Sequence, residues 1–192
     1  MALGIGDDGA LINPSADTQL VMASDTLVES VHFPADASGE QIASRALCVN
    51  LSDMAAMGAT PKWFTLALTM PKHLANNQWL KSFSAGLADV AKEFDIALVG
   101  GDTTLGPLAV SITMLGEVPV GQALQRNGAL VGDAIYVTGT LADGAAALNM
   151  LKANANKVTE DSERLLARFY RPQPQIEAGI ALRNIASACI DI

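Results

Sequence analysis

The sequence predicts an α/β (α+β) fold in which helices are layered on a sheet, and three observations predict it. Residues 63–70 and 108–118 alternate apolar and polar side chains, the two-residue period of a half-buried strand. Between them Trp79, Leu80, Phe83, Leu87, Val90, Ala91 and Phe94 recur at helical spacing, as in an amphipathic helix lying on a sheet. Taken in order, the elements up to residue 118 read strand, helix, strand, helix, strand, strand, a layered pattern.

Each element has its own local reason. Residues 4–9, Gly4-Ile5-Gly6-Asp7-Asp8-Gly9, match the dinucleotide-binding glycine pattern formally. No strand precedes them, and two aspartates stand where a pyrophosphate would approach, so a turn presenting a carboxylate to a cation suits them better. Residues 20–23 form a strand that ends in Ser24-Asp25-Thr26, and His32 follows in Val31-His32-Phe33. Ser38 is placed to cap a helix with Glu40 and Gln41 in its first turn. That helix runs through Leu47, Val49, Leu51, Met54, Ala55 and Met57 to a stop at Gly58, with Pro61 just beyond. It is apolar on nearly every side, so it belongs in the interior, yet it carries Asn50, Ser52 and Asp53. After the strand at 63–70 and the helix at 76–94, residues 96–99 form a short strand running into Gly100-Gly101-Asp102, and 108–118 a longer one. Glycine and turn formers at 119–132 mark a domain boundary near Gln122. Beyond it the pattern predicts a strand at 134–138, helices at 142–151, 160–170 and 175–187, and a final short strand at 188–192.

Composition narrows the function. Half of the 192 residues are hydrophobic and the mean hydropathy is +0.28, which excludes a disordered chain. No apolar run approaches the ~20 residues of a membrane span, and no leader opens the sequence, which reads as cytosolic. Cys48 and Cys189 are isolated and read as reduced thiols. A net charge of -8 without a basic cluster argues against nucleic acid. Phosphates remain possible ligands if metal ions stand between the two sets of negative charge. There is no P-loop, because Pro107 and Leu108 stand where Lys and Ser or Thr are required, and no nucleophilic triad or zinc-protease motif.

Four aspartates then carry the chemistry: Asp8 in the glycine turn, Asp25 and Asp102 at strand ends, and Asp53 in the apolar helix. Asp8 alone has an ordinary reading as a turn residue and Asp25 and Asp102 as caps, as His32 does as a loop histidine and Arg126 as a solvated loop cation, whereas Asp53 among Leu51, Met54 and Ala55 has no obvious structural use. If the four meet, two such charges at 4 Å repel by about 4 kcal/mol at an effective dielectric near 20. All-oxygen ligands of this kind suit Mg²⁺ shared with substrate phosphates, and so phosphoryl transfer.

The motifs Gly4-Ile5-Gly6-Asp7-Asp8, Ser24-Asp25-Thr26-Leu27, Val31-His32-Phe33, Asn50-Leu51-Ser52-Asp53-Met54-Ala55-Ala56-Met57-Gly58-Ala59, Gly100-Gly101-Asp102-Thr103-Thr104, Val137-Thr138-Gly139-Thr140-Leu141 and Arg171-Pro172 resemble, in order, those of the thiamine-monophosphate kinases. The wider superfamily includes aminoimidazole ribonucleotide synthetase and selenophosphate synthetase. The resemblance implies a mixed sheet with helices on one face in a dimerising ATP/Mg-binding domain, 1–122, followed by the first part of an incomplete α+β domain, 123–192. It implies ATP-dependent, Mg-dependent conversion of thiamine monophosphate to thiamine diphosphate in a cytoplasmic homodimer joined through its sheets. Asp8, Ala23, Ser24, Asp25, Asp53, Asp102 and Asp191 would bind several magnesium ions. Gly101, Asp102 and Arg126 would contact ATP, His32 the substrate, and no residue would act as a catalytic nucleophile. Family members carry about one more helix before the glycine turn and continue past Ile192, so the resemblance also implies a fragment, with metal and triphosphate ligands mostly present and thiamine recognition mostly absent. The alternatives are another ATP-using member of the superfamily, or a dimerising module without activity.

Overall fold

The computed structural model describes residues 8–153 and 159–192; residues 4–7 of the glycine-rich turn lie outside them. Four strands, β1 (Thr18–Val28), β2 (Thr60–Met70), β3 (Ala97–Leu105) and β4 (Ala109–Pro119), make one mixed sheet in the order β1-β4-β2-β3. β4 is antiparallel to both β1 and β2, whereas β2 and β3 run parallel, joined by the helix α2 (Asn77–Glu93) as a parallel pair requires. β1 and β3 are therefore the two edges.

Among the described residues one face of the sheet is covered and the other is not. On the covered face Leu27, Phe64, Leu68, Val110, Ile112 and Met114 pack beneath α1 (Gly39–Ala56) and α2 in one core. Ile42, Leu47, Leu51 and Met54 of α1 are buried to within 1 % of complete, each worth roughly 1.5–3 kcal/mol over exposure. The opposite face keeps Leu20 and Met22 exposed, with hydroxyls further along it: Ser24 and Thr26 of β1 bond Thr113 and Ser111 of β4 at 3.1 and 2.7 Å.

The ends of α1 follow the local chemistry. Ser38 and Gln41 form a reciprocal capping box, and at the other end Gly58 takes φ +62° while its N–H bonds Ala55 O and that of Ala59 bonds Met54 O. This is the two-bond glycine stop that satisfies the last carbonyls of a helix.

Residues after β4 lie against the helices. α4 (Glu160–Tyr170) and the short α5 (Ile176–Ala181) pack on α1, while α3 (Asp143–Lys152) pairs with α4. Arg171 bonds Asp89 and Glu93 of α2, and Arg183 donates to Gly58 O at 2.6 Å.

Three expectations are corrected. The strand at 96–99 does not stop at the glycines but continues to Leu105. A bulge between Phe64 and Thr65 shifts the register, and Gly101 passes so close to β2 that a Cβ would lie 1.9 Å from Leu66 O; glycine here prolongs the strand. Residues 134–138 and 188–192 form no strand. Ile135 and Tyr136 are exposed instead, because a strand needs a hydrogen-bonded partner and none is offered among the described residues. The final helix closes at Ala181 and turns at Asn184, which has φ +60°.

Candidate functional site

The site is built where α1 crosses the covered side of β1. Asn50 of α1 is fully buried and spans the two elements: its Nδ2 donates to Ala46 O at 2.9 Å, and its Oδ1 accepts the backbone N–H of Asp25 at 3.1 Å. Asn50 thus fixes where Asp25 stands relative to Asp53, one helical turn further on. The sequence marks Asn50 as a misfit in an apolar helix without assigning it this work; an amide one turn before Asp53 is the available signal.

Asp53 is half-buried and not interior as its apolar neighbours suggested. Its carboxyl is pushed up from 3.8 to about 6, first by desolvation, then by the charges of Asp25 and of Asp191. Three carboxylates from β1, α1 and the end of the chain therefore share one electrostatic neighbourhood. Beside it opens a cleft of about 520 Å³ whose wall includes Arg45, Ser52, Thr140, Arg168 and Asp191, within the range of small-molecule sites.

The other predicted residues lie elsewhere. Asp102 does not join the cluster. The register aligns Asp25 with Ile112, Leu66 and Gly101, so Asp102 falls in the next row, with Ala67, Ser111 and Thr26. Successive rows face opposite sides of a sheet, and β1 and β3 are opposite edges, roughly 14 Å apart at the ~4.8 Å strand spacing. Within one chain the four aspartates do not all meet. Ala23 lies on the covered face of β1, whereas Ser24 is on the other, its Oγ bonded to Thr113 and to Ile112 O. Asp8 is exposed at the start of the described residues, and Arg126 is exposed in the loop after β4. That loop is joined to the end of the chain by a bond from Cys189 N–H to Gln125 O.

His32 sits in a tight turn after β1. Its own N–H and that of Val31 bond Val28 O, Ser30 N–H bonds Phe33 O, and Phe33 is buried as the anchor. The His32 Nδ1 accepts the Val28 N–H at 3.0 Å, so the neutral ring carries its proton on Nε2, as an outward donor.

No three His, Cys, Asp or Glu residues among the described ones form a ready-made metal cage. The donor set of Asp25, Asp53 and Asp191 still fits a hard cation in kind: all oxygen, mutually repelling and partly desolvated.

Residues 6–118 match the model of the AIR synthase related protein, N-terminal domain. The chain belongs to this family. Within the AIR synthase related proteins it is 48% identical over 192 residues to the thiamine-monophosphate kinase of Escherichia coli (strain K12), matching 99% of this chain and 58% of that one. The thiamine-monophosphate kinase structure from Stenotrophomonas maltophilia K279a superposes with a TM-score of 0.89 at 48% identity, over 97% of this chain and 60% of that one. AaThiL complexed with AMPPCP and TMP superposes at 0.84 with 29% identity, over 96% and 59%. The chain thus spans somewhat more than half the length of the relatives it matches. The mixed α/β fold is the one these structures share.

Proposed function

We propose that the chain carries the metal and nucleotide side of a thiamine-monophosphate kinase, which transfers the γ-phosphoryl group of ATP to thiamine monophosphate. The observation that carries this is that Asp25 and Asp191 lie within electrostatic reach of a half-buried Asp53 and, with desolvation, push its carboxyl up to about 6 beside an open cleft. The kinase relatives and the AMPPCP and TMP of one neighbour supply the substrates.

Asp25, Asp53 and Asp191 would hold Mg²⁺, with Asp8, Ala23 and Ser24 beside them and Asp102 joining the metal set from a second copy of the chain. Bound there, the metal supplies charge neutralisation for the transferring phosphoryl group. Gly101, Asp102 and Arg126 contact ATP. The His32 Nε2–H donates to the acceptor phosphate. That phosphate, with a second pKa of about 6, is largely ionised near pH 7. Its oxygen attacks the γ-phosphorus in line, a P–O bond forms, the bond to the β,γ-bridging oxygen breaks, and ADP leaves. No base is needed, so the aspartates act only as ligands.

A domain division near Gln122 belongs to the same reading, supported by the family match ending at 118. So does a cytoplasmic homodimer: the uncovered sheet face with exposed Leu20 and Met22 supports a second copy lying on it, and a second copy would offer the edge that holds Asp102. Phosphorus NMR tests the function. With ATP, Mg²⁺ and thiamine monophosphate, this chain completed by the remainder of the Escherichia coli relative is expected to give ADP and the diphosphate doublet of thiamine diphosphate. ADP without that doublet overturns the reading in favour of another ATP-using reaction.

A further inference from the structure

Arg45 holds an unusual position. It is half-buried in α1, desolvation lowers its pKa, and among the described residues no carboxylate reaches it as an ion-pair partner. A guanidinium taken partly out of water without a counter-charge is costly, so its hydrogen bonds must compensate. They go to two backbone carbonyls far apart in sequence: Nε donates to His32 O at 3.2 Å, and Nη1 donates to Phe169 O at the end of α4. Its Cζ also lies 4.0 Å from the centre of the buried Phe169 ring, a cation–π contact. Phe169 in turn meets Tyr170 edge-on, and the next residue, Arg171, ties the same segment to Asp89 and Glu93.

The His32 turn needs such a support. It is exposed, its Ser30 has φ +63° outside the usual region, and its remaining bonds are internal, apart from one from Glu29 N–H to Leu108 O. Only the planar fork of arginine reaches both carbonyls at once; a lysine ammonium satisfies one of them.

We propose that Arg45 is the positioning residue for His32: by clamping the His32 carbonyl to that of Phe169 across α1, it fixes the direction in which the imidazole Nε2–H is presented to the acceptor phosphate. The part concerning the phosphate rests on the function proposed above; the part concerning the ring does not. Arg45 touches no reacting atom in this scheme and acts through His32 alone. The clamp also links the His32 turn to the far wall of the cleft, which Arg45 and Phe169 both line.

The experiment is histidine ¹⁵N NMR on this chain, which has two histidines. His32 is the probe and His73, before α2, the internal control. The wild type is expected to show the well-separated ring nitrogens of a single Nε2–H tautomer at His32. Arg45→Met, which keeps the aliphatic stem, is expected to collapse that separation towards the average of two tautomers without moving His73, and Arg45→Lys to restore it in part. Phe169→Leu removes the ring but not the carbonyl, and is expected to leave His32 as in the wild type. An unchanged His32 in Arg45→Met overturns the proposal; so does a Phe169→Leu spectrum that moves like that of Arg45→Met, because packing and not the clamp would then be responsible. Thiamine monophosphate is then titrated against the wild type and Arg45→Met of the chain completed by the remainder of the Escherichia coli relative, reading His32. Weakening of about tenfold, the ratio for one charged hydrogen bond lost, supports the functional part, and equal affinity overturns it. A wild-type His32 that does not respond to thiamine monophosphate refutes the substrate reading of His32, while the ring spectra still decide the clamp.

Discussion

At the scale of the residue, Asp53 and Asn50 make opposite contributions. Asn50 is buried with both ends of its amide bonded, which stabilises the crossing of α1 over β1. Asp53 stands against desolvation and two like charges, which destabilises the fold whenever it is ionised. Its carboxyl binds a proton more tightly folded, at about 6, than unfolded, at 3.8. Stability from this group is therefore complete below about pH 4 and is lost as pH rises through about 6. In the metal-free chain Asp53→Asn is expected to melt higher than wild type at pH 8, with the difference vanishing at pH 3.5. Solvent screening of a half-exposed group reduces the effect to about 1 kcal/mol, or roughly 2–4 °C. Equal melting at both pH values, read by calorimetry, would remove the electrostatic cluster from the account.

At the scale of the element, β3 carries the most specific claim. Gly100 and Gly101 are neighbours with different constraints: a Cβ on Gly100 meets only Thr65 Cγ2 at 3.9 Å, whereas one on Gly101 collides with Leu66 O. Gly101→Ala is expected to cost roughly 3 kcal/mol by parting β3 from β2, and Gly100→Ala less than about 1 kcal/mol. Urea unfolding midpoints compare the two; similar losses would contradict the observed register. The same strand shows how far the sequence could be read. The periods at 63–70, 76–94 and 108–118 belong to elements that bury one face in one chain, so the pattern and the fold agree. Glycine pairs are ambiguous, because a close approach between strands and a turn use the same residue, so the sequence pattern ends β3 at residue 99, short of Leu105. Residues 134–138 carry a strand's apolar run but form none, because pairing is a property of two segments. Asp53 could be chosen from sequence as a misfit in an apolar helix and Asp25 as the polar end of a strand, and the two lie within electrostatic reach of each other. That Asp102 stands at the other edge depends on strand order, which local patterns do not encode.

At the scale of the whole molecule, the sheet has one face under helices and one bare, and the candidate ligands are divided between the two edges. A second copy on the bare face would account for both features. Sedimentation of the chain is expected to give a dimer, and Met22→Lys, which places a charge at a residue 72% exposed on that face, a monomer. A wild-type monomer would contradict the sheet-to-sheet arrangement while leaving the Asp53 cluster untouched. The cluster itself is the central claim, and its most direct test is turnover of thiamine monophosphate by the completed chain with and without Asp53→Asn, with bound magnesium measured on both. Loss of at least about a hundredfold in turnover, together with loss of bound metal and a fold at least as stable, is the predicted result. Near-normal turnover with bound metal unchanged would contradict it.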